Sequence, residues 1–124
     1  MKIPEIYNPV MPYLLVKDAY RFLAFAKDVF GATQQHLEPR SEGVIKHAEI
    51  RIGEAVIMFA DATDDFPVFP ASIFLFVEDA DKVYDKSMAA GLTQLMPLED
   101  RPYGRGFGFA DDFGNSWWVN TPIS

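Results

Sequence analysis

The sequence has no cysteine, only two histidines and a shortage of positive charge: 11 Lys and Arg stand against 18 Asp and Glu in 124 residues, a formal charge of −7. Each shortage excludes something. Without cysteine there are no disulfides, thiolate nucleophiles, zinc ribbons or iron–sulfur ligands. The acidic balance, a pI near 4.6 and the lack of any Lys/Arg run argue against a phosphate-backbone binder, so no nucleic-acid partner is expected. No apolar stretch approaches the ~20 residues of a membrane span. Met1 to Glu5 also lacks the apolar core of a secretory signal. No membrane partner and a cytoplasmic location are expected. What the chain has in quantity is apolar mass, 49% of residues, with 15% aromatic and eleven Phe. That supplies a core for a single domain over residues 1–124, within the usual ~100–150-residue size. It also leaves Phe to spare for a pocket or a subunit interface.

An internal repeat organises the sequence. Val16-Lys17-Asp18-Ala19 opens a helical stretch that runs to Phe30-Gly31-Ala32-Thr33-Gln34, and Val77-Glu78-Asp79-Ala80 opens a second that runs to Ala90-Gly91-Leu92-Thr93-Gln94. Asp18 and Asp79 are expected N-caps, and Gly31 and Gly91 expected left-handed stops. Phe22, Phe25, Ala26, Val29 and Phe30 share one helical face, as do Ala80, Val83, Tyr84, Ser87 and Met88, the pattern of helices docked on sheets. Strands are expected at Val10–Val16, Gln34–Leu37, Val44–Ile52 and Ala55–Ala60, then at Ser72–Val77, Leu95–Leu98, Phe107–Ala110 and Ser116–Asn120. The order is β-α-β-β-β, twice, in modules of about 9–61 and 71–121, with a Pro- and Asp-rich linker from Asp61 to Pro70. Pro12, inside the first expected strand, requires an edge or a bulge.

A duplicated βαβββ unit of this size resembles the vicinal oxygen chelate superfamily, which includes glyoxalase I, extradiol dioxygenases and bleomycin-resistance proteins. The segments that carry the resemblance are Val16–Ala19 leading to Phe30-Gly31-Ala32, then Lys46-His47-Ala48-Glu49-Ile50-Arg51-Ile52-Gly53, and Pro102-Tyr103-Gly104-Arg105 followed by Asp111 to Trp118. The combination looks most like the PhnB-type branch, and Pro102–Asn115 also looks like its counterpart in bleomycin-binding proteins. The resemblance implies an α+β fold in which two tandem βαβββ modules form a curved mixed sheet around a cavity, with helices on the convex face. It also implies a homodimer. Family metal enzymes take ligands from four positions that fall here on Met11, Met58, Ser72 and Trp118. None offers the imidazole or carboxylate oxygen that divalent metals take. A register slipped by one residue offers only Val10 or Pro12, Ile57 or Phe59, Ala71 or Ile73, and Trp117 or Val119. No metal and no cofactor are expected.

Strand alternation then assigns a cavity face of Met11, Tyr13 and Leu15, of Val56, Met58 and Ala60, of Ser72, Phe74 and Phe76, and of Ser116, Trp118 and Asn120. Ile45, His47, Glu49 and Arg51 are expected toward the cavity or its mouth. His47 and Glu49, two apart on one strand, read as a general base with an orienting carboxylate, as two ligands of a displaced metal site, or as a half-exposed His between Lys46 and Glu49 making a cross-strand salt bridge. His36 reads as a surface residue. Tyr103-Gly104-Arg105-Gly106-Phe107 reads either as a ligand-covering loop, with Arg105 for an anionic group and Tyr103 for stacking, or as a tight connection in which Arg105 pairs with Glu99, Asp100 or Asp111.

The expected ligand-binding set is Met11, Tyr13, Met58, Ser72, Phe74, Tyr103, Arg105, Phe107 and Trp118, with His47, Glu49 and Tyr103 as candidate catalytic groups. An aromatic, Met-lined pocket suits a flat organic ligand. The leading expectation is a metal-free, non-catalytic binding protein, with cationic drugs of the bleomycin type as the ligands the resemblance implies and antibiotic resistance as the role. The alternatives are a lyase, isomerase or dioxygenase with a site relocated to His47 and Glu49, with Tyr103, and a purely structural or regulatory module whose cavity is filled by Phe74, Phe76 and Trp118.

Overall fold

The computed structural model describes residues 1–123. The chain divides into two compact units, Met1–Phe69 and Pro70–Ser124, at a boundary inside the expected linker. The first unit runs β1 (Tyr13–Val16), α1 (Ala19–Phe30), β2 (Thr33–Ser41), β3 (Val44–Ile52) and β4 (Ala55–Asp61). Its sheet has the order β1-β4-β3-β2, with β1 parallel to β4 and the other pairs antiparallel. The second unit runs β5 (Ser72–Phe76), α2 (Ala80–Ala89), β6 (Thr93–Arg101), β7 (Gly104–Ala110) and β8 (Ser116–Pro122). Its sheet repeats the plan as β5-β8-β7-β6, with β5 parallel to β8. The class is α+β, with two tandem βαβββ modules.

Each helix begins on its expected aspartate, through different backbone geometry. Asp18 has φ 69° and its carboxylate accepts from the Arg21 amide, whereas Asp79 is extended and accepts from the Lys82 amide. A second acceptor holds each helix start to the sheet. Asp61, at the end of β4, accepts the Ala19 amide through Oδ1 and the Ile45 amide through Oδ2. Thr121, at the corresponding place on β8, accepts the Ala80 amide through its hydroxyl at 2.8 Å. Gly31 ends α1 at φ 66°, and Gly91 follows the αR Ala90 at φ 75°.

In α1 the buried face is Ala19, Phe22, Leu23, Ala26 and Val29. Phe25 and Phe30 are half-buried and touch each other at 5.6 Å, so that end of the expected apolar face lies at its margin. The Phe22 ring meets Phe59 of β4 at 4.9 Å, and each such fully buried side chain contributes roughly 1.5–3 kcal/mol. Ala80, Val83 and Ser87 of α2 are buried, and Tyr84 meets Phe107 of β7 edge-on at 5.1 Å.

In four strands a boundary differs from expectation by three residues or more. β2 and β6 each run through a proline, Pro39 and Pro97, and both pairings carry register irregularities that relieve the missing ladder donor. β1 starts only at Tyr13; Pro12 lies just outside it and its carbonyl accepts from the Met58 amide at 3.0 Å. β7 begins at Gly104, so Gly104–Gly106 is strand and not a covering loop. The reason is pairing on both sides: Arg105 stands opposite Asp100 and Thr121, and Gly106 opposite Glu99 and Asn120. Ile45, expected toward the cavity, is completely buried.

Candidate functional site

Each module carries a cluster on the sheet face away from its helix. In the first module, Tyr13 and Glu49 both stand opposite Met58 in register, and His36 stands opposite Glu49. These cross-strand partners share a face, while Leu14, Ala48 and Phe59, one residue along, are buried on the other side. Glu49 is 2% exposed although it is charged. Three donors surround its carboxylate: the Tyr7 hydroxyl at 3.0 Å, Gln35 Nε2 at 3.0 Å and His47 Nε2 at 2.7 Å. Arg51 Nη1 donates in turn to Gln35 Oε1 at 3.0 Å and fixes the amide's orientation. Burial pushes the Glu49 carboxyl up, but the hydrogen bonds from Gln35, His47 and Tyr7, with the attraction of His47, outweigh it and hold the group below its ordinary value. On the other ring nitrogen, His47 Nδ1 lies 2.9 Å from the Tyr13 hydroxyl. Burial, then repulsion from Glu49, raises the Tyr13 phenol above its ordinary value.

The pair expected at His47 and Glu49 is thus one hydrogen-bonded unit along a single strand. The cross-strand salt bridge at this place is Lys46 to Glu38, at 3.5 Å. Tyr7, Gln35 and Arg51 complete the network. Tyr7 is 42 residues from Glu49 in sequence, and no local pattern announces the contact.

In the second module the open face is aromatic. The Trp118 indole lies flat across its neighbours. Its Nε1 donates to Ser72 Oγ on β5 at 2.7 Å, and its Cε3 and Cζ3 lie 2.5 Å from where a Cβ on Gly108 of β7 would be. Gly106 makes the same room for the Asn120 side chain. The alternation of glycine along β7 therefore clears one sheet face so that two β8 side chains can lie down on it. Around this floor a cleft of about 130 Å³ is lined by Phe74, Met96, Arg101, Tyr103, Phe107, Trp118 and Asn120. An apolar cavity of ~150 Å³ holds benzene, so the cleft accommodates about one aromatic ring. Phe74 and Tyr103, 51% and 53% exposed, extend it outward.

Among the residues expected to bind ligand, Phe74, Tyr103, Phe107 and Trp118 border this cleft, with Phe107 buried and its ring against Tyr84 and Phe109. Ser72 contributes by anchoring the indole. Tyr13 and Met58 belong to the first module's face, with half-buried Met11 just before β1. Tyr103, the third candidate catalytic group, lies in the second module and His47 and Glu49 in the first. Arg105 does not line the cleft: its Nε donates to Asp81 Oδ1 at 2.7 Å and its Nη1 to Asp100 Oδ1 at 3.3 Å. These bonds raise its pKa further. The larger hollow beside it, about 550 Å³, is lined by Asp79, Asp81, Asp100, Arg101 and the start of α2, and its Arg105 is engaged by Asp81 and Asp100. The smaller, aromatic cleft is the candidate ligand site of this module.

Arg101 and Asn120 are cleft residues that sequence reasoning did not single out as ligand-binding. Arg101 is turned inward, donating to the Pro97 carbonyl at 2.8 Å and to Glu99 Oε1 at 3.3 Å. The signal for it was weak, since one Arg beside Glu and Asp reads as surface charge.

A divalent metal does not fit the four positions where the fold family's enzymes bind one. The Ser72 oxygen already accepts a hydrogen bond, the Trp118 indole nitrogen is a donor only, and Met11 and Met58 offer soft thioethers. Among the described residues no three His, Cys, Asp or Glu side chains are grouped to hold a metal ion.

Comparison with known proteins agrees with this architecture. An uncharacterized protein of Mycobacterium bovis, Mb0911c, is 30% identical over 127 aligned positions, covering 90% of this chain and 82% of its own. Among solved structures, TioX from Micromonospora sp. ML1 is similar at TM-score 0.78 and 24% identity, covering 94% of this chain and all of its own. A PhnB protein from Bacillus cereus superposes at TM-score 0.72 with 22% identity, covering 92% of this chain and 99% of its own. TnmS3, an antibiotic binding protein from Streptomyces sp. CB03234, does so at 0.76 and 17%, covering 99% of each chain. Residues 6–119 match the Glyoxalase/Bleomycin resistance protein/Dioxygenase superfamily, and the chain belongs to that superfamily.

Proposed function

We propose that this protein is a metal-free binding protein for a planar, positively charged aromatic molecule, held against the Trp118 face. The observation that carries this reading is the flat indole over Gly108, pinned by Ser72 and open on one side beside Phe74 and Tyr103. A preset aromatic floor loses little entropy on binding and favours a stacked ring or a cation over its face. The charge of −7 adds long-range attraction for a cation. Arg101, inside the cleft, is directed at carbonyls and at Glu99, which offsets its charge. That a similar fold is an antibiotic binding protein supports a drug-like ligand and a role in resistance. Exposed Phe66, Phe69, Phe74 and Phe76 support a working homodimer, which sedimentation equilibrium tests. The direct test of ligand class is calorimetric titration with planar cationic aromatics of the bleomycin type. Saturable binding that is lost in Trp118→Ala and weakened in Phe74→Ala is expected, and no heat at high micromolar ligand overturns the reading.

A second reading, an enzyme of the superfamily working from His47 and Glu49, is favoured by one observation: the ordered hydrogen-bond chain through the buried Glu49 carboxylate.

A further inference from the structure

We infer that Tyr13, His47 and Glu49 form a proton-transfer site that takes the proton of a weakly acidic hydroxyl, a phenol or an enol, on a bound molecule. The inference deepens the second reading and uses no residue of the aromatic cleft. The geometry orders the chain from the inside outward. Glu49 is buried and ionised, with its oxygens bonded by Tyr7 and Gln35 as well as by His47. A carboxylate only accepts, so His47 Nε2, 2.7 Å away, must carry a proton. In the neutral ring Nδ1 is then a bare acceptor, and the group in front of it at 2.9 Å is the Tyr13 hydroxyl. This is a carboxylate–imidazole–hydroxyl arrangement in which the carboxylate fixes the tautomer of the base.

The outer end is open. Tyr13 is 49% exposed, and with its proton given to Nδ1 its oxygen retains lone pairs for a donor outside. A ligand hydroxyl placed there gives its proton to Tyr13 Oη as the Tyr13 proton moves to His47 Nδ1. The ligand is left as an oxyanion, and the imidazolium is left paired with Glu49. No electrons change hands and no co-reactant is required; the proton leaves from His47 when the ligand departs. Imidazole takes protons efficiently from acids of comparable strength, which selects phenols and enols over alkanols. The phenol of Tyr13 is held above its ordinary value and so passes the proton on instead of keeping the negative charge. The other groups around the imidazole are Gln35, His36 and Glu38 on β2 and Arg51 on β3. The His36 ring lies 6.0 Å away, Glu38 is engaged by Lys46, and Arg51 is directed at Gln35 and the Ile6 carbonyl. A His–Glu pair serving only the sheet would need no tyrosine on its outer nitrogen.

Two measurements on the full chain test this. Nitrogen-15 NMR of the imidazoles reads the tautomer: neutral His47 protonated at Nε2 is expected, and protonation at Nδ1 overturns the relay. Para-nitrophenol, whose anion is coloured, reads the proton transfer. At a pH where the free probe is mostly neutral, the bound probe is expected to carry about tenfold more phenolate than the free one, a shift of about one pKa unit. That gain should vanish in Tyr13→Phe and His47→Gln and persist in Lys82→Ala, an exposed position on α2. Probe that binds without ionising overturns the relay. Failure to bind at millimolar concentration overturns the site itself, and with it the second reading. Tyr13→Phe keeps the ring and loses only an exposed hydroxyl, so a folding defect there does not obscure the result.

Discussion

Gly108 matters because of what it leaves room for. A Cβ there would come within 2.5 Å of the Trp118 ring, so Gly108→Ala forces the indole off the sheet. We expect a stability loss of about 1–3 kcal/mol from overpacking. A comparable fraction of the affinity for a flat ligand should go with it, as stacking contributes about 0.5–1.5 kcal/mol. Urea unfolding and calorimetric titration of the same variant check both. Glu49 gives a second residue-level expectation. Its folded pKa is lowered, so the stability it contributes is present above the unfolded value and is lost as pH falls through the folded one. Urea midpoints should therefore decline on acidification through and below the ordinary carboxylate range, and Glu49→Gln should flatten that decline while lowering the neutral-pH plateau. A decline unchanged in the variant would assign the acid sensitivity to other carboxylates.

At the scale of elements, the repeat uses unequal chemistry at equal positions. Asp61 accepts two amides, from the start of α1 and from β3, whereas Thr121 accepts one, from the start of α2. Removing an acceptor strands buried donors, so Asp61→Ala is expected to cost roughly 2–4 kcal/mol and Thr121→Val roughly 1–2 kcal/mol, measured by urea unfolding. The order of the two costs is the stronger expectation. The helices and the β-α-β-β-β order were legible because an N-cap aspartate, an i, i+3, i+4 stripe and a stop glycine are local signals: Asp18 with Gly31, Asp79 with Gly91. The extents of β2 and β6 were not, because Pro39 and Pro97 argue locally against strand while pairing across the sheet overrides them. Gly104 and Gly106 left a covering loop and a tight strand connection equally open, and the Arg105–Asp100 bond fits the second. Glycine punctuates loops more often than it clears a strand face, and only the neighbouring strand reveals which applies.

For the whole molecule, the charge of −7 predicts how binding responds to salt. If long-range attraction helps hold a cationic ligand, its affinity should weaken several-fold between low and physiological ionic strength, as screening shortens the field's reach to about 8 Å. A neutral ring of the same shape should show little change. Titration of a matched cationic and neutral pair at two salt concentrations measures this, and equal salt dependence would remove net charge from the account. By itself the sequence determined the class of fold, the two modules and the unsuitability of Met11, Met58, Ser72 and Trp118 as metal ligands. The modules follow from residue type, spacing and repetition along one strand or helix, and the class of fold and the four metal positions from the resemblance those modules carry. Tertiary structure decided the rest. It laid the Trp118 ring on Gly108, turned Arg105 to Asp81 and Arg101 to the cleft, and brought Tyr7, Tyr13 and Gln35 around His47 and Glu49. The physical reason is that a hydrogen bond or a ring contact depends on positions fixed by strand pairing between distant segments, which no local pattern encodes.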